Sequence, residues 1–184
     1  KLSGFAGEFV VSTAGPDLES IIAGKGSGAC QYSIDNACTA ANLDIGGGTT
    51  NIVLFDNGDV VSKGCLDIGG RLIRLKPDFT VESVSPAAAR VAEQVGVTLR
   101  RGERTSPEAL SRITDKMADL LAQAMGLKPQ EPLLRAVQTP ESSWLEPDGK
   151  RIVRICFSGG VADCIADSAP EPIPYGDIGV LLGR

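Results

Sequence analysis

The residues best suited to chemistry form one run, Asp44-Ile45-Gly46-Gly47-Gly48-Thr49-Thr50, set between two apolar segments, Asn42 to Ile45 and Asn51 to Phe55, that read as strands. Consecutive glycines let backbone amides turn inward around phosphate oxygens, and threonine hydroxyls add further donors. Asp44, at the end of a strand beside such a loop, is placed to orient a hydrated Mg²⁺ or to align a water for in-line phosphoryl transfer. The run is not a Walker A loop, because no Gly-Lys-Ser/Thr follows, nor a dinucleotide fingerprint, because a strand rather than a helix comes next. On local grounds a plain glycine-rich hairpin turn accounts for it as well. A second copy of part of the run, Leu66-Asp67-Ile68-Gly69-Gly70, repeats Leu43-Asp44-Ile45-Gly46-Gly47 at a separation of 23 residues. Two strands leaving a sheet at one edge, each stopping in glycines beside one bound anion, explain both copies; convergent strand-end composition is the alternative.

Composition narrows the chemistry further. Histidine is absent from the 184 residues, which removes Ser/His/Asp triads, Cys/His dyads, HExxH zinc sites and any imidazole base within the chain. Glycine stands at 22 of 184, about 12% where about 7% is usual. A net charge of −5 leaves no broad basic face, so neither nucleic acid nor an anionic membrane is an expected partner. The longest apolar stretches fall far short of the ~20 residues of a membrane helix, so a soluble protein is expected. The five cysteines, Cys30, Cys38, Cys65, Cys156 and Cys164, lack CxxC spacing and read as small buried hydrophobes in a reducing, cytoplasmic setting.

The elements that must position these residues follow from periodicity and punctuation. Glu8 to Thr13 reads as a strand, and Pro16 opens a helix from Asp17 to about Ala23 that Gly24 to Gly28 ends. Residues 30 to 40 read as a polar connection. Asn57-Gly58 predicts a hairpin turn into a returning strand, Val60 to Leu66. Ser85-Pro86 opens a helix that Gly96 closes. A longer helix runs from a Thr105/Glu108 capping box to Gly126, with Leu110, Ile113, Met117, Leu120, Leu121 and Ala124 as its core stripe. Pro132 to Gln138 suits a short helix, Arg151 to Phe157 a strand, and Val161 to Ala166 the start of a helix. Lys1 and the unpunctuated C-terminal segment are what a piece of a longer chain would show.

The order of Gly15-Pro16 through Ala23-Gly24, Asp44 to Thr49, and Ile155 to Gly160 resembles the actin-like ATPase superfamily. There a helix with a connecting motif, a second phosphate loop of the form DhGGGT and an adenosine motif of the form hhxGG follow one another. Within it the chain resembles the ethanolamine ammonia-lyase reactivating factor (EutA) family. Phe9 to Gly28, Asn42 to Phe55, Cys65 to Leu72, Ser158 to Cys164 and Asp177 to Leu182 carry the likeness. The resemblance implies an α/β fold of the ribonuclease H-like, actin-type class: a mixed sheet with helices on its faces, whose antiparallel hairpin holds the phosphate loop. It implies a chaperone-like ATPase that frees an adenosylcobalamin-dependent ethanolamine ammonia-lyase of damaged cofactor, in the cytoplasm and in association with a bacterial microcompartment.

By the same resemblance, ATP and Mg²⁺ are the expected ligands and ethanolamine ammonia-lyase the expected partner. Asp44 would position metal or water. Gly46, Gly47, Gly48, Thr49 and Thr50, with Gly69 and Gly70 on the far side, would hold phosphates, and Ser158, Gly159 and Gly160 would border adenosine. For Gly69 and Gly70 a strand-to-helix turn is the alternative, for Ser158 and Asp163 a turn hydroxyl and a helix-start acid, and for Arg71 and Arg74 solvated charges on a helix face. The connecting motif's acid is Gly15 here, so its role would pass to Asp17 or Glu19, unless these only cap the helix. No counterpart of the superfamily's first phosphate loop precedes Phe9. Residues 1–184 are therefore expected to be mainly the second lobe of a larger ATPase and to hydrolyse ATP poorly alone. A small-molecule kinase of the same superfamily, lacking an identifiable substrate-side carboxylate, and an actin-like scaffold gated by nucleotide are the rival readings.

Overall fold

The computed structural model describes residues 15–140, 142–143, 149–165 and 171–184; the strand expected over Glu8 to Thr13 lies outside them. A mixed four-stranded sheet, in the order β3-β2-β1-β6, is built from β1 (Thr39–Ile45), β2 (Thr50–Asp56), β3 (Asp59–Leu66) and β6 (Ile152–Ser158). β1 to β3 form an antiparallel meander, and β6 joins β1 in parallel. The β2–β3 turn has the predicted chemistry, with Asn57 and Gly58 at φ 49° and 91°. A small separate hairpin, β4 (Ile73–Leu75) with β5 (Val81–Val84), follows the meander.

Strand alternation divides the sheet into two faces. Leu43, Ile45, Ile52, Leu54 and Leu66 enter one continuous core with the apolar stripe of α4 (Pro107–Ala124), whose Leu110, Ile113, Met117, Leu120 and Ala124 are fully buried. α3 (Pro86–Gln94) and α5 (Pro132–Ala136) pack beside α4, and α6 (Gly179–Gly183) closes its other flank. The α4 N-cap is Ser106 rather than Thr105: the Ser106 hydroxyl accepts the Ala109 N–H at 3.2 Å. Pro107 thereby takes the first helical position, where its missing N–H costs nothing.

The opposite face is covered by α1 (Pro16–Gly26) and α2 (Ala29–Asp35) over Val53 and Phe55. α1 lies tightly on the strands because its inward residues are small. Ser20 is fully buried with its hydroxyl donating to the Pro16 carbonyl at 2.7 Å, and a methyl group on Gly24 would lie 2.5 Å from the Phe55 ring. α2 corrects the expectation of a polar connection over residues 30 to 40; its sheet-facing residues are Ala29 and Ser33. Val161 to Ala166 was expected to begin a helix, but the described part is a single 3-10 turn, Ala162–Cys164. All five cysteines are thiols, Cys65 and Cys164 buried and the other three half-buried. Among the described residues no helix is long and apolar enough to cross a membrane.

Candidate functional site

β1 and β3 are both antiparallel to β2, so they run in the same direction and end at the same edge of the sheet. This brings the two Leu-Asp-Ile-Gly-Gly copies together. The Gly70 N–H donates to the Gly46 carbonyl at 3.0 Å, the Arg71 N–H to the Gly47 carbonyl at 2.7 Å, and the Thr50 hydroxyl to the Ile68 carbonyl at 2.7 Å. The contact at Gly69 is closest: a methyl group there would sit 2.6 Å from the Gly47 oxygen and 2.8 Å from the Gly48 nitrogen. The alternative of a strand-to-helix turn at Gly69-Gly70 is not what forms, since Arg71 continues into a loop and Arg74 lies on β4. For the same reason neither arginine occupies a helix face.

Within the β1–β2 hairpin the Gly46 N–H is closed onto the Thr49 carbonyl at 2.9 Å, while the N–H groups of Gly47 and Gly48 donate to no described backbone carbonyl. None of the three glycines occupies the left-handed region, and only at Gly47 would a methyl group crowd a neighbour, the Arg71 stem at 3.3 Å. Thr50 is fully buried with its hydroxyl spent on Ile68, so it braces the second copy instead of facing outward.

Asp44 sits half-buried at the end of β1, opposite Ser158 in register. The Ser158 hydroxyl donates to Asp44 Oδ1 at 2.9 Å and accepts from Asn42 Nδ2 at 3.2 Å, a relay that fixes the carboxylate. The buried Asn42 Oδ1 has no hydrogen-bond partner among the described residues. After β6 the chain turns sharply at Gly159, with φ 83°, where a side chain would strike the Ile45 carbonyl at 2.5 Å and Asp44 Oδ1 at 2.9 Å. The Val161 N–H then donates to the Ile45 carbonyl at 3.1 Å. The Ser158-Gly159-Gly160 turn is thus fastened to the strand end that carries Asp44. Asp163, in the first turn of the short 3-10 segment, is exposed.

A cleft of about 180 Å³ opens beside this edge, bordered by Gly46, Gly47, Gly70 and Gly160 from the residues expected in the sequence. Arg71, Val161, Cys164, Tyr175, Asp177 and Gly179 complete its wall. Such a volume falls short of the roughly 300 to 1,000 Å³ of a full small-molecule pocket. Among the described residues no group of three or more His, Cys, Asp or Glu side chains gathers to hold a metal. Mg²⁺ asks for no such cage, since one carboxylate, retained waters and phosphate oxygens are its usual ligands; Asp44 stands at the strand end next to Gly46 and is not itself part of the cleft wall.

The candidate connecting acids behave differently from each other. Burial works against charge at Asp17, yet the Ser143 hydroxyl, the Ser143 N–H at 3.0 Å and Lys63 at 3.4 Å outweigh it and hold the carboxyl below the ordinary aspartate range. Asp17 is therefore committed to clasping α1 to β3 and to Ser143. Glu19, in the same first turn of α1, is exposed. Cys65, close under Thr49, is no nucleophile: burial pushes its thiol up, with the Thr139 and Thr49 hydroxyls opposing only in part.

Comparison with known proteins agrees with the EutA resemblance. The family model for ethanolamine utilisation protein EutA matches residues 1–184. The ethanolamine ammonia-lyase reactivase EutA of Salmonella typhimurium strain LT2 is 35% identical over 189 aligned residues, covering 98% of this chain and 38% of that protein. The protein of the same name from Escherichia coli strain K12 is 37% identical over 182 residues, again covering 98% of the chain and 38% of the relative. The chain thus spans about 38% of the length of these curated relatives. No solved structure matches it.

Proposed function

The chain belongs to the EutA family of ethanolamine utilisation proteins, and on that footing we propose that it supplies the second phosphate-facing wall of a nucleotide cleft in an ATP-driven reactivase. The whole protein would act on an adenosylcobalamin-dependent ethanolamine ammonia-lyase in the cytoplasm, by releasing damaged cofactor so that intact cofactor can rebind. In this reading the fold is one actin-like, ribonuclease H-like lobe. Its support is the strand order β3-β2-β1-β6, with an antiparallel meander and β6 parallel to β1.

The observation that carries the reading is the docking of the second glycine pair on the hairpin beside a fixed carboxylate: Gly70 bonds Gly46, Arg71 bonds Gly47, and Ser158 holds Asp44. A mere turn needs none of these long-range ties. The unused N–H groups of Gly47 and Gly48 would donate to phosphate oxygens. Gly160, on the turn fastened to Ile45, would let adenosine lie against backbone. Bound Mg²⁺ would neutralise charge on the phosphate oxygens. Asp44, held in one orientation by the Ser158 hydroxyl, would fix a water of the hydrated ion or the attacking water, and the orientation needs no reorganisation at the moment of reaction.

Because the cleft is one wall, in-line transfer needs the opposing wall, and the chain by itself should turn over ATP slowly or not at all. The test is calorimetric titration of the intact protein with MgATP, alongside phosphate release by the isolated chain. MgATP binding by the intact protein with negligible turnover by the chain is the expected pair of results. Robust magnesium-dependent turnover by the chain alone, abolished by Asp44→Ala, would show the cleft to be complete in these residues.

A further inference from the structure

We infer that Arg71 is the cation that meets the phosphate chain in this cleft, and that Asp177 is its positioning residue. The inference rests on the phosphate-cleft reading above. Arg71 is 75% exposed at its side chain, which by itself would mark a solvated charge. Three contacts say otherwise. Its N–H bonds the Gly47 carbonyl at 2.7 Å, its stem crosses Gly47 with Cδ 3.3 Å from where a methyl group would stand, and its Nε lies 3.4 Å from Asp177 Oδ2.

Asp177 is a fixed anchor. Its side chain is only 10% exposed, and its Oδ1 accepts the Gly179 N–H at 2.9 Å. The next residue, Ile178, donates its N–H to the Gly70 carbonyl at 3.0 Å, tying the acid to the same glycine that bonds Gly46. Arg71 and Asp177 are the charged residues of the cleft wall. An unpaired buried carboxylate beside a phosphate site would repel the ligand, so the pair removes that cost. Pairing occupies the Nε edge, while neither Nη nitrogen hydrogen-bonds a described residue. The guanidinium therefore keeps donors in the geometry that phosphate oxygens favour.

The experiment titrates the intact protein with MgATP, MgADP and adenosine. Arg71→Ala should weaken MgATP binding about tenfold to a hundredfold, the worth of a charge-assisted hydrogen bond, and leave adenosine binding unchanged. Arg71→Gln, which keeps the stem over Gly47, should lose as much, separating charge from packing. Asp177→Asn retains an acceptor for the Gly179 N–H and should weaken MgATP binding by less. Joined to Arg71→Ala it should cause no further loss and recover part of the affinity, because the acid acts through the arginine and, once unpaired, repels phosphate. MgATP affinity unchanged in folded Arg71→Gln overturns the inference while the cleft reading stands, and additive losses in the double variant overturn the role of Asp177. A wild-type protein that binds no MgATP overturns the cleft reading and the inference together.

Discussion

Replacing Gly69 by alanine tests whether the two glycine pairs are a built contact or neighbours by accident. The added methyl group would lie 2.6 Å from the Gly47 oxygen, 2.7 Å from its carbonyl carbon and 2.8 Å from the Gly48 nitrogen, all backbone atoms of the hairpin. Ordinary contact begins near 3.4 Å, so the hairpin must retreat by about 0.8 Å or the Gly70–Gly46 and Arg71–Gly47 bonds must lengthen. Overpacking of this kind costs about 1 to 3 kcal/mol, which in a domain of this size lowers Tm by about 2 to 12 °C. Gly48→Ala is the control. Its methyl group meets nothing within 4 Å and its backbone is not left-handed, so Tm should stay within about 2 °C of wild type. Thermal unfolding followed by circular dichroism gives the stabilities, and MgATP titration of the intact protein gives the effect on the cleft. Equal Tm values for Gly69→Ala, Gly48→Ala and wild type, with unchanged affinity, would refute the docking argument.

Other outcomes follow from the same structure. Met117→Ala, at a fully buried position of the α4 stripe, should cost about 2 to 5 kcal/mol in chemical denaturation, against well under 1 for Asp115→Ala on the same helix. Asp44→Asn in the intact protein should keep MgATP binding and lose phosphate release, since the amide can still accept from Ser158 but carries no charge for a hydrated cation. The Lys116 ammonium holds the Glu131 carboxyl below its ordinary range, with burial opposing and Gln123 assisting. A lowered folded value means stability present above the ordinary glutamate pKa of about 4.3 and lost as pH falls through it and on through the folded value. Glu131→Gln should therefore melt below wild type at pH 7, with the gap closing below about pH 4 in a Tm-against-pH series.

Much of this arrangement was legible because its determinants are local. Asn57-Gly58 fixed the β2–β3 turn, Pro107 and the stripe from Leu110 to Ala124 fixed α4, and the alternation of Leu43, Ile45, Ile52 and Leu54 fixed the sheet face. The repeated Leu-Asp-Ile-Gly-Gly run was readable as repetition. Its juxtaposition depends on strand parity, because β1 and β3 end at one edge only when a single strand lies between them. α2 leaves no signal in the sequence because Gly28, in the left-handed region, starts it without a side-chain cap, and its buried residues Ala29 and Ser33 form no apolar stripe. β4 and β5, of three and four residues, are too short to show a period. The Arg71–Asp177 pair was hidden for a different reason. Its partners are distant in sequence, and they meet because Ile178 bonds Gly70, Leu75 bonds Gly176 and Asp177 forms a β-bridge with Arg74.

The central claim, that a nucleotide cleft in this chain drives renewal of a lyase's cofactor, is tested most directly by following damaged cobalamin as it leaves ethanolamine ammonia-lyase. The absorption spectrum of the lyase fraction is recorded during gel filtration after incubation with the intact protein. Wild-type protein with ATP and Mg²⁺ should strip the damaged cofactor, and Asp44→Asn should remain bound to the lyase without releasing it, because a ligand shifts an equilibrium only by its differential affinity for the two states. Wild-type protein that neither associates with the lyase nor speeds cobalamin release in the presence of ATP and Mg²⁺ would contradict the account.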